Sequence, residues 1–254
     1  MIRNPPKTSY GNGGNQYTNT FASLTKDDTI LIQANCVHLI RKYKVSVKDI
    51  LDDILSRVGT VVVPTFNTTF AEGVPFDIRN TKSEMGVLSE CARLYDGAMR
   101  SGHPMSSFVA IGKNAHQFNV NNYSAYGKDS PFAVLRRLNG KIGVLGLVNN
   151  EGNTLFHHVE ELHQVPYRFY KLFTGRYTDR HGVADYRTYS FYCNGGVKTL
   201  LNPIDEIFWS EGLYTGEKPY EGDGFRIIDA NKMYNRVSRI ITDGKAEGLL
   251  YERI

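Results

Sequence analysis

The stretch Asn153-Thr154-Leu155-Phe156-His157-His158-Val159-Glu160-Glu161 decides how this chain is read. It follows an apolar run over 141–148 and a polar turn, Asn149-Asn150-Glu151-Gly152. A buried strand, a turn and a helix start is the economical interpretation. Asn153 or Thr154 could cap the helix, because a short side-chain oxygen accepts from a free amide of the first turn. Residues three and four apart share a helix face, so His157 sits beside Glu160 and Glu161. A carboxylate next to an imidazole fixes its tautomer and stabilises the imidazolium, which makes a general base. On its own such a pair is more often a solvated helix face. The cluster of His157, His158, Glu160, Glu161 and His163 is rich in metal-ligand types, but His-Glu-x-x-His and His-x-x-Glu-His are both absent, so no metal is expected.

Working outward, the segments on either side alternate between strand and helix. The runs 29–32, 59–64, 107–111 and 141–148 read as buried strands, the second ended by Pro64. Residues 46–58 form an amphipathic helix with a capping box of Ser46 and Asp49 and an apolar stripe from Val47 to Val58. Helices are also expected over 83–95, 131–138 (opened by proline), 203–213 and 229–242. This alternation predicts an α/β fold with helices on a central sheet. Residues 1–26, with Gly11-Asn12-Gly13-Gly14-Asn15, read as a polar flexible arm ahead of one domain over 27–254. From 167 to 192 aromatic residues interleave with Arg168, Lys171, Arg176, Arg180 and Arg187; this is a loop plus strand packed on the core, or a ligand wall of stacking rings and phosphate-binding arginines.

Composition narrows the class. The 254 residues are 41% hydrophobic and 22% charged, an ordinary globular balance. No apolar stretch reaches membrane-span length and no signal region opens the chain, so a cytoplasmic protein is expected. The three cysteines, Cys36, Cys91 and Cys193, lack a Cys-x-x-Cys and read as reduced thiols. A net charge of +4 suits an anionic ligand but falls short of a nucleic-acid-binding signature.

Several ordered segments together resemble the antibiotic N-acetyltransferase family, whose best-known members are aminoglycoside 3-N-acetyltransferases. They are Gly59 to Phe66; Pro75-Phe76-Asp77 with Thr81 to Gly86; Glu90 with Arg93; Arg100-Ser101-Gly102-His103-Pro104 to Ser107; Tyr126 to Phe132; and Asn153-Thr154 through His157 and Glu160. The resemblance runs from about Thr29 to Arg168 and more loosely to the end. It implies a three-layer α/β/α sandwich, distinct from the histone-acetyltransferase-like fold, and transfer of acetyl from acetyl-CoA to a sugar amine without a metal. It places the catalytic base at His157 and its supporting carboxylate at Glu160. Asn153 and Thr154 become oxyanion or positioning residues. CoA contacts are expected from Gln33-Ala34-Asn35-Cys36 and from Thr81, Ser83, Arg100 and Ser101. Acceptor contacts are expected from Phe66, Glu90, His103, Tyr167 and Arg168.

The chain departs from the family pattern at Gln33–Cys36, where a His-Ser-Ser-Leu is common, at Lys82 in place of a proline, and in its Gly/Asn-rich N-terminus. A polycationic acceptor calls for an acidic site, and the stretch after His157 is basic. The first expectation for the acceptor is therefore a nucleotide-linked amino sugar for surface glycan synthesis, with an aminoglycoside as the alternative. The remaining alternatives are a cysteine nucleophile at Cys36, a non-catalytic CoA- or sugar-binding module and a metal-dependent hydrolase. The oligomeric state is left open, a homodimer included.

Overall fold

The computed structural model describes residues 21–147, 153–179, 181–200, 202–218 and 224–254. The turn expected over 149–152, Val148, Arg180 and most of the N-terminal arm lie outside the described residues. In chain order the elements are β1 (Thr29–Ala34), α1 (Val37–Tyr43), α2 (Val47–Arg57), β2 (Thr60–Pro64), β3 (Phe76–Asp77), α3 (Val87–Arg93), β4 (Met99–Arg100), β5 (Phe108–Gly112) and α4 (Pro131–Arg137). They continue with β6 (Lys141–Leu145), α5 (Leu155–Leu162), β7 (Arg168–Asp179), β8 (Gly182–Cys193), β9 (Val197–Thr199), α6 (Asn202–Ser210), β10 (Thr215–Gly216), β11 (Phe225–Asp229), α7 (Ala230–Thr242) and β12 (Tyr251–Arg253).

The central sheet has the order β10-β11-β6-β1-β2-β5-β4. Its middle three strands, β6, β1 and β2, run parallel, and β5 and β11 join antiparallel on either side. Successive strand side chains point to opposite faces, and the burial follows that period. Leu31, Val62, Phe108, Ala110, Ile142, Val144 and Ile228 pack on one face against α4, α5, α6 and α7. Ile30, Ile32, Val61, Val63, Val109, Ile111, Phe225 and Ile227 pack on the other, against α1, α2 and α3. Both faces are covered, which is why these strands read as near-continuous apolar runs. The result is the expected three-layer α/β/α sandwich. At Gly143 a Cβ would lie 2.6 Å from the Phe225 ring, so only glycine lets β11 pack this closely on β6.

The capping box on α2 is present in full: Ser46 Oγ accepts from the Asp49 amide, and Asp49 accepts from the Ser46 amide. The helix expected over 83–95 begins only at Val87, because Gly86, at φ 102°, breaks the chain just before it. The strand expected to reach 148 stops at Leu145, before Gly146 at φ 64°. Thr154 occupies the N-cap position of α5 but no side-chain cap bond forms; its hydroxyl accepts from Gln33 Nε2 at 3.4 Å. The arm expected over 1–26 does not extend through Phe21 and Leu24, which are buried in the core, with Phe21 edge-on to Phe225.

The aromatic and basic stretch is not a loop plus strand. It folds as a twelve-rung antiparallel hairpin of β7 and β8, with β3 parallel to β7. Phe173 and Tyr177 pack with Phe70, Phe76 and Met105 beneath it. That small second core seats the hairpin beside the open end of α5.

Candidate functional site

His157 leaves the first turn of α5 and stands 18% exposed in the wall of a cavity of ≈ 370 Å³. Its Nδ1 lies 2.8 Å from Glu160 Oε2, the three-residue spacing on one helix face. Glu160 is 1% exposed, and the same Oε2 is 2.7 Å from Arg168 Nε at the start of β7. One carboxylate oxygen thus receives an imidazole from its own helix and a guanidinium from the hairpin. A carboxylate accepts, so Nδ1 carries a proton, and Nε2 is the ring nitrogen left for a substrate. Arg168 is fixed in turn: Nη1 donates to the Phe191 carbonyl at 3.2 Å and Nη2 to Thr199 Oγ1 at 2.7 Å.

The rest of the cavity comes from Phe66 and Thr68 after β2, Met105 and Ser106, Tyr126, and the hairpin residues Ser190 to Cys193. The Tyr126 ring meets the His157 ring edge-on at 5.2 Å, and burial pushes the Tyr126 phenol up to about 12. Of the expected acceptor residues, Phe66 and Arg168 line this cavity with His157. Tyr167 does not. It is 7% exposed behind Glu160, its ring stacked on Tyr251 at 3.9 Å, and burial beside that carboxylate raises its phenol far above the usual range.

Two further acceptor assignments meet groups already committed to the fold. His103 is fully buried. Its Nδ1 accepts from the Met105 and Ser106 amides at 3.2 and 2.9 Å, so Nε2 carries the proton and faces the Tyr189 carbonyl and Thr188 Oγ1. Burial holds its imidazole down at about 4. Glu90 clamps Arg93 with both oxygens and accepts from the Ser83 amide; that arginine holds its carboxyl down at about 2.

The expected CoA residues separate into two groups. Gln33 ends β1 beside Thr154, and its Oε1 is buried with no hydrogen-bond partner among the described residues; Asn153 Oδ1 is in the same condition. Ala34 and Asn35 follow, the Asn35 carboxamide oxygen accepting from the Val37 amide at 3.2 Å. Cys36 is 1% exposed, and burial pushes its thiol up to about 12. A thiol so held is no nucleophile near neutral pH, and Cys36 does not line the His157 cavity, which removes the cysteine mechanism at this position. The second group is structural. Arg100 donates to the carbonyls of Thr65, Ile78 and Thr81 and to Ser107 Oγ, with Phe76 under its guanidinium. Ser101 Oγ accepts from the Phe108 amide. Thr81 Oγ1 and Ser83 Oγ accept from the Asp77 and Met85 amides.

The basic residues of the hairpin do not converge on the site either. Arg176 pairs with Asp185 in the open, and Lys171 lies over the rings of Phe173 and Tyr192. Among the described basic residues of the hairpin only Arg168 lines the cavity, and it is paired with Glu160. Tyr126, Ser190 and Cys193 were not singled out as site residues, whereas Phe191 and Tyr192 fall in the aromatic stretch for which a ligand wall was one reading. The Tyr126 to Phe132 segment carried the only sequence signal for the first; the others are set by hairpin register. Among the described residues no group of three or more His, Cys, Asp or Glu gathers that could hold a metal. No helix among them is long and apolar enough to cross a membrane.

A family model described as aminoglycoside 3-N-acetyltransferase matches residues 36–242. The chain belongs to this family. Among curated relatives, the aminoglycoside N(3)-acetyltransferase VII of Streptomyces paromomycinus is 39% identical over 83 residues, covering 32% of this chain and 28% of that protein. The aminoglycoside N(3)-acetyltransferase III of Acinetobacter baumannii is 31% identical over 127 residues, covering 48% and 44%. The matched segments thus span less than half the length of these relatives. Solved structures share the fold over most of the chain. AAC-IIIb in binary complex with CoASH gives a TM-score of 0.76 at 21% identity, over 90% of this chain and 95% of that one. The YokD protein from Bacillus subtilis gives 0.73 at 16%, over 91% and 95%.

Proposed function

We propose that the chain is an N-acetyltransferase that moves acetyl from acetyl-CoA to an amino group of an aminoglycoside-type amino sugar. The observation that carries the reading is Glu160 Oε2 held between His157 Nδ1 and Arg168 Nε, with His157 in a cavity wall. Family membership supplies the reaction class. The relatives named as aminoglycoside N(3)-acetyltransferases support the acceptor class.

The chemistry follows from the free valences. His157 Nε2 accepts a proton from the attacking amine as the new C–N bond forms at the thioester carbonyl. Glu160 orients the imidazole and stabilises its cation, and Arg168 holds that carboxylate in place. Collapse breaks the C–S bond, and the imidazolium returns the proton to the leaving thiolate. Thr154 is the better oxyanion donor of the two expected: its hydroxyl accepts from Gln33 and keeps its own proton free, whereas Asn153 Nδ2 is turned to Met233 Sδ at 3.4 Å. Two buried unpaired acceptors, Gln33 Oε1 and Asn153 Oδ1, suit the amide N–H groups of a pantetheine arm.

A nucleotide-linked amino sugar has less support. It rested on phosphate-binding arginines, and among the described residues the one arginine lining this cavity is engaged by Glu160. The test is thiol release from acetyl-CoA with an aminoglycoside panel and with nucleotide-linked amino sugars, on wild type and His157→Ala. Release with aminoglycosides, abolished by the substitution, is the expected result. Release with nucleotide sugars alone would overturn the acceptor class.

A further inference from the structure

One turn beyond His157, the same helix enters the wall of a second, larger cavity of ≈ 550 Å³. Glu161 lines it and is 3% exposed. Its Oε1 accepts from Ser124 Oγ at 2.5 Å and from the Tyr170 hydroxyl at 3.4 Å. Its Oε2 is buried with no hydrogen-bond partner among the described residues, although the Tyr126 backbone amide faces the carboxylate. Gly127 permits this close wall: a Cβ there would come within 2.9 Å of Oε1.

A second orphan lies in the same wall. Asn122 donates Nδ2 to the Ser124 carbonyl, and its Oδ1 is buried and unpaired among the described residues. Both orphans are acceptors, so the group that satisfies them is a donor. Three half-exposed tyrosines, Tyr123, Tyr170 and Tyr189, present ring surface around them, which attracts cations. The cavity also sits at the C-terminal end of α5, where the helix dipole is negative. The described lining holds one lysine, Lys128, and two carboxylates, Asp129 and Glu161.

We propose that this cavity is a cation subsite for a protonated amino group of a polyamino sugar, with Glu161 as its anionic partner. The inference rests on the acceptor class proposed above and deepens it: a second ammonium of the acceptor is held here while another amine faces His157. Among the described residues that line the His157 cavity none is a carboxylate, whereas this neighbour carries Asp129 and Glu161.

The experiment titrates kanamycin, a polyammonium amino sugar, calorimetrically into the full chain as wild type, Glu161→Gln and Tyr123→Ala. Glu161→Gln keeps the shape and removes the charge, and is expected to weaken binding about ten-fold or more. Tyr123→Ala removes a largely exposed ring that the core does not need, and is expected to weaken binding about three-fold. Equal Kd in all three proteins overturns the proposal, as does a wild type that does not bind kanamycin. If Glu161→Gln does not fold, the Tyr123→Ala result decides alone. Thiol release in the same proteins separates the two readings. Binding that depends on Glu161 with no thiol release keeps the subsite and removes the acceptor role. Thiol release with a KM indifferent to Glu161 keeps the acceptor role and removes the subsite.

Discussion

Two polar segments of this chain look alike on paper and end in opposite conditions. Arg100-Ser101-Gly102-His103 and Asn153 to Glu160 with Arg168 each offer an arginine and a histidine among small polar residues. In the first, every named side chain is spent on backbone: Arg100 on three carbonyls, Ser101 on one amide, His103 on two amides and a carbonyl. In the second, Glu160 pairs with both His157 and Arg168, Asn153 Oδ1 is left without a partner among the described residues, and His157 stands in a cavity wall. Reactivity follows the valence left over after the fold has taken what it needs.

The strongest way to break this contrast is to exchange the histidines' roles by substitution. His157→Ala is expected to lower turnover by about two to four orders of magnitude with little change in melting temperature, the range for a lost general base. His103→Ala is expected to do the reverse, costing stability while the surviving folded fraction turns over normally. Steady-state kinetics beside a denaturant titration reads both. A His103→Ala enzyme that folds well but is inactive would erase the distinction.

Next in size is Arg100→Ala. It leaves the Thr81 carbonyl without its donor and the Thr65 carbonyl with Ser107 Oγ alone, and is expected to cost about 3 kcal/mol in urea unfolding. A loss under 1 kcal/mol would mean that these contacts are incidental. Acid sharpens the contrast further. Burial holds the imidazoles of His103 and His158 down at about 4, below the unfolded value near 6.5. Both are neutral in the fold and take up protons on unfolding, so their contribution is complete above pH 6.5 and is lost as pH falls toward 4. Each contributes a slope of about 1.4 kcal/mol per pH unit across that window. Glu161, raised by burial, acts with the opposite sign. Urea midpoints that stay flat from pH 6.5 to 4.5 would contradict this. The smallest effect expected is Ser101→Ala, about 1 kcal/mol for one buried amide left unpaired, with no change in KM.

Much of the scaffold was legible because its signals are local. Ser46 and Asp49 announce a helix start, Val61 to Val63 a strand buried on both faces, and His157 with Glu160 a shared helix face. What was not legible depends on chain segments meeting across distance. Nothing in the order of residues says that Arg168 turns back onto Glu160 rather than out to a ligand. β11 escaped notice because Arg226 interrupts its apolar run, yet that arginine is fully buried, donating to the Leu147 carbonyl and facing Asp205 at 3.6 Å. The roles of His103 and Arg100 were hidden for the same reason: a motif gives residue types, and only packing shows whether a donor already has an acceptor.

The central position of β1 has a consequence for how the protein is made. Its partner β6 is encoded more than a hundred residues later, with Ile30 set against Lys141. During synthesis β1 and β2 can pair early, but one edge of β1 stays bare until β6 leaves the ribosome, and α5 has no place to dock before then. The nascent chain therefore passes through a long interval with a sticky, unprotected rim. A fragment ending at Gly140 reproduces that interval, and sedimentation should find it self-associated under conditions where the full chain is not.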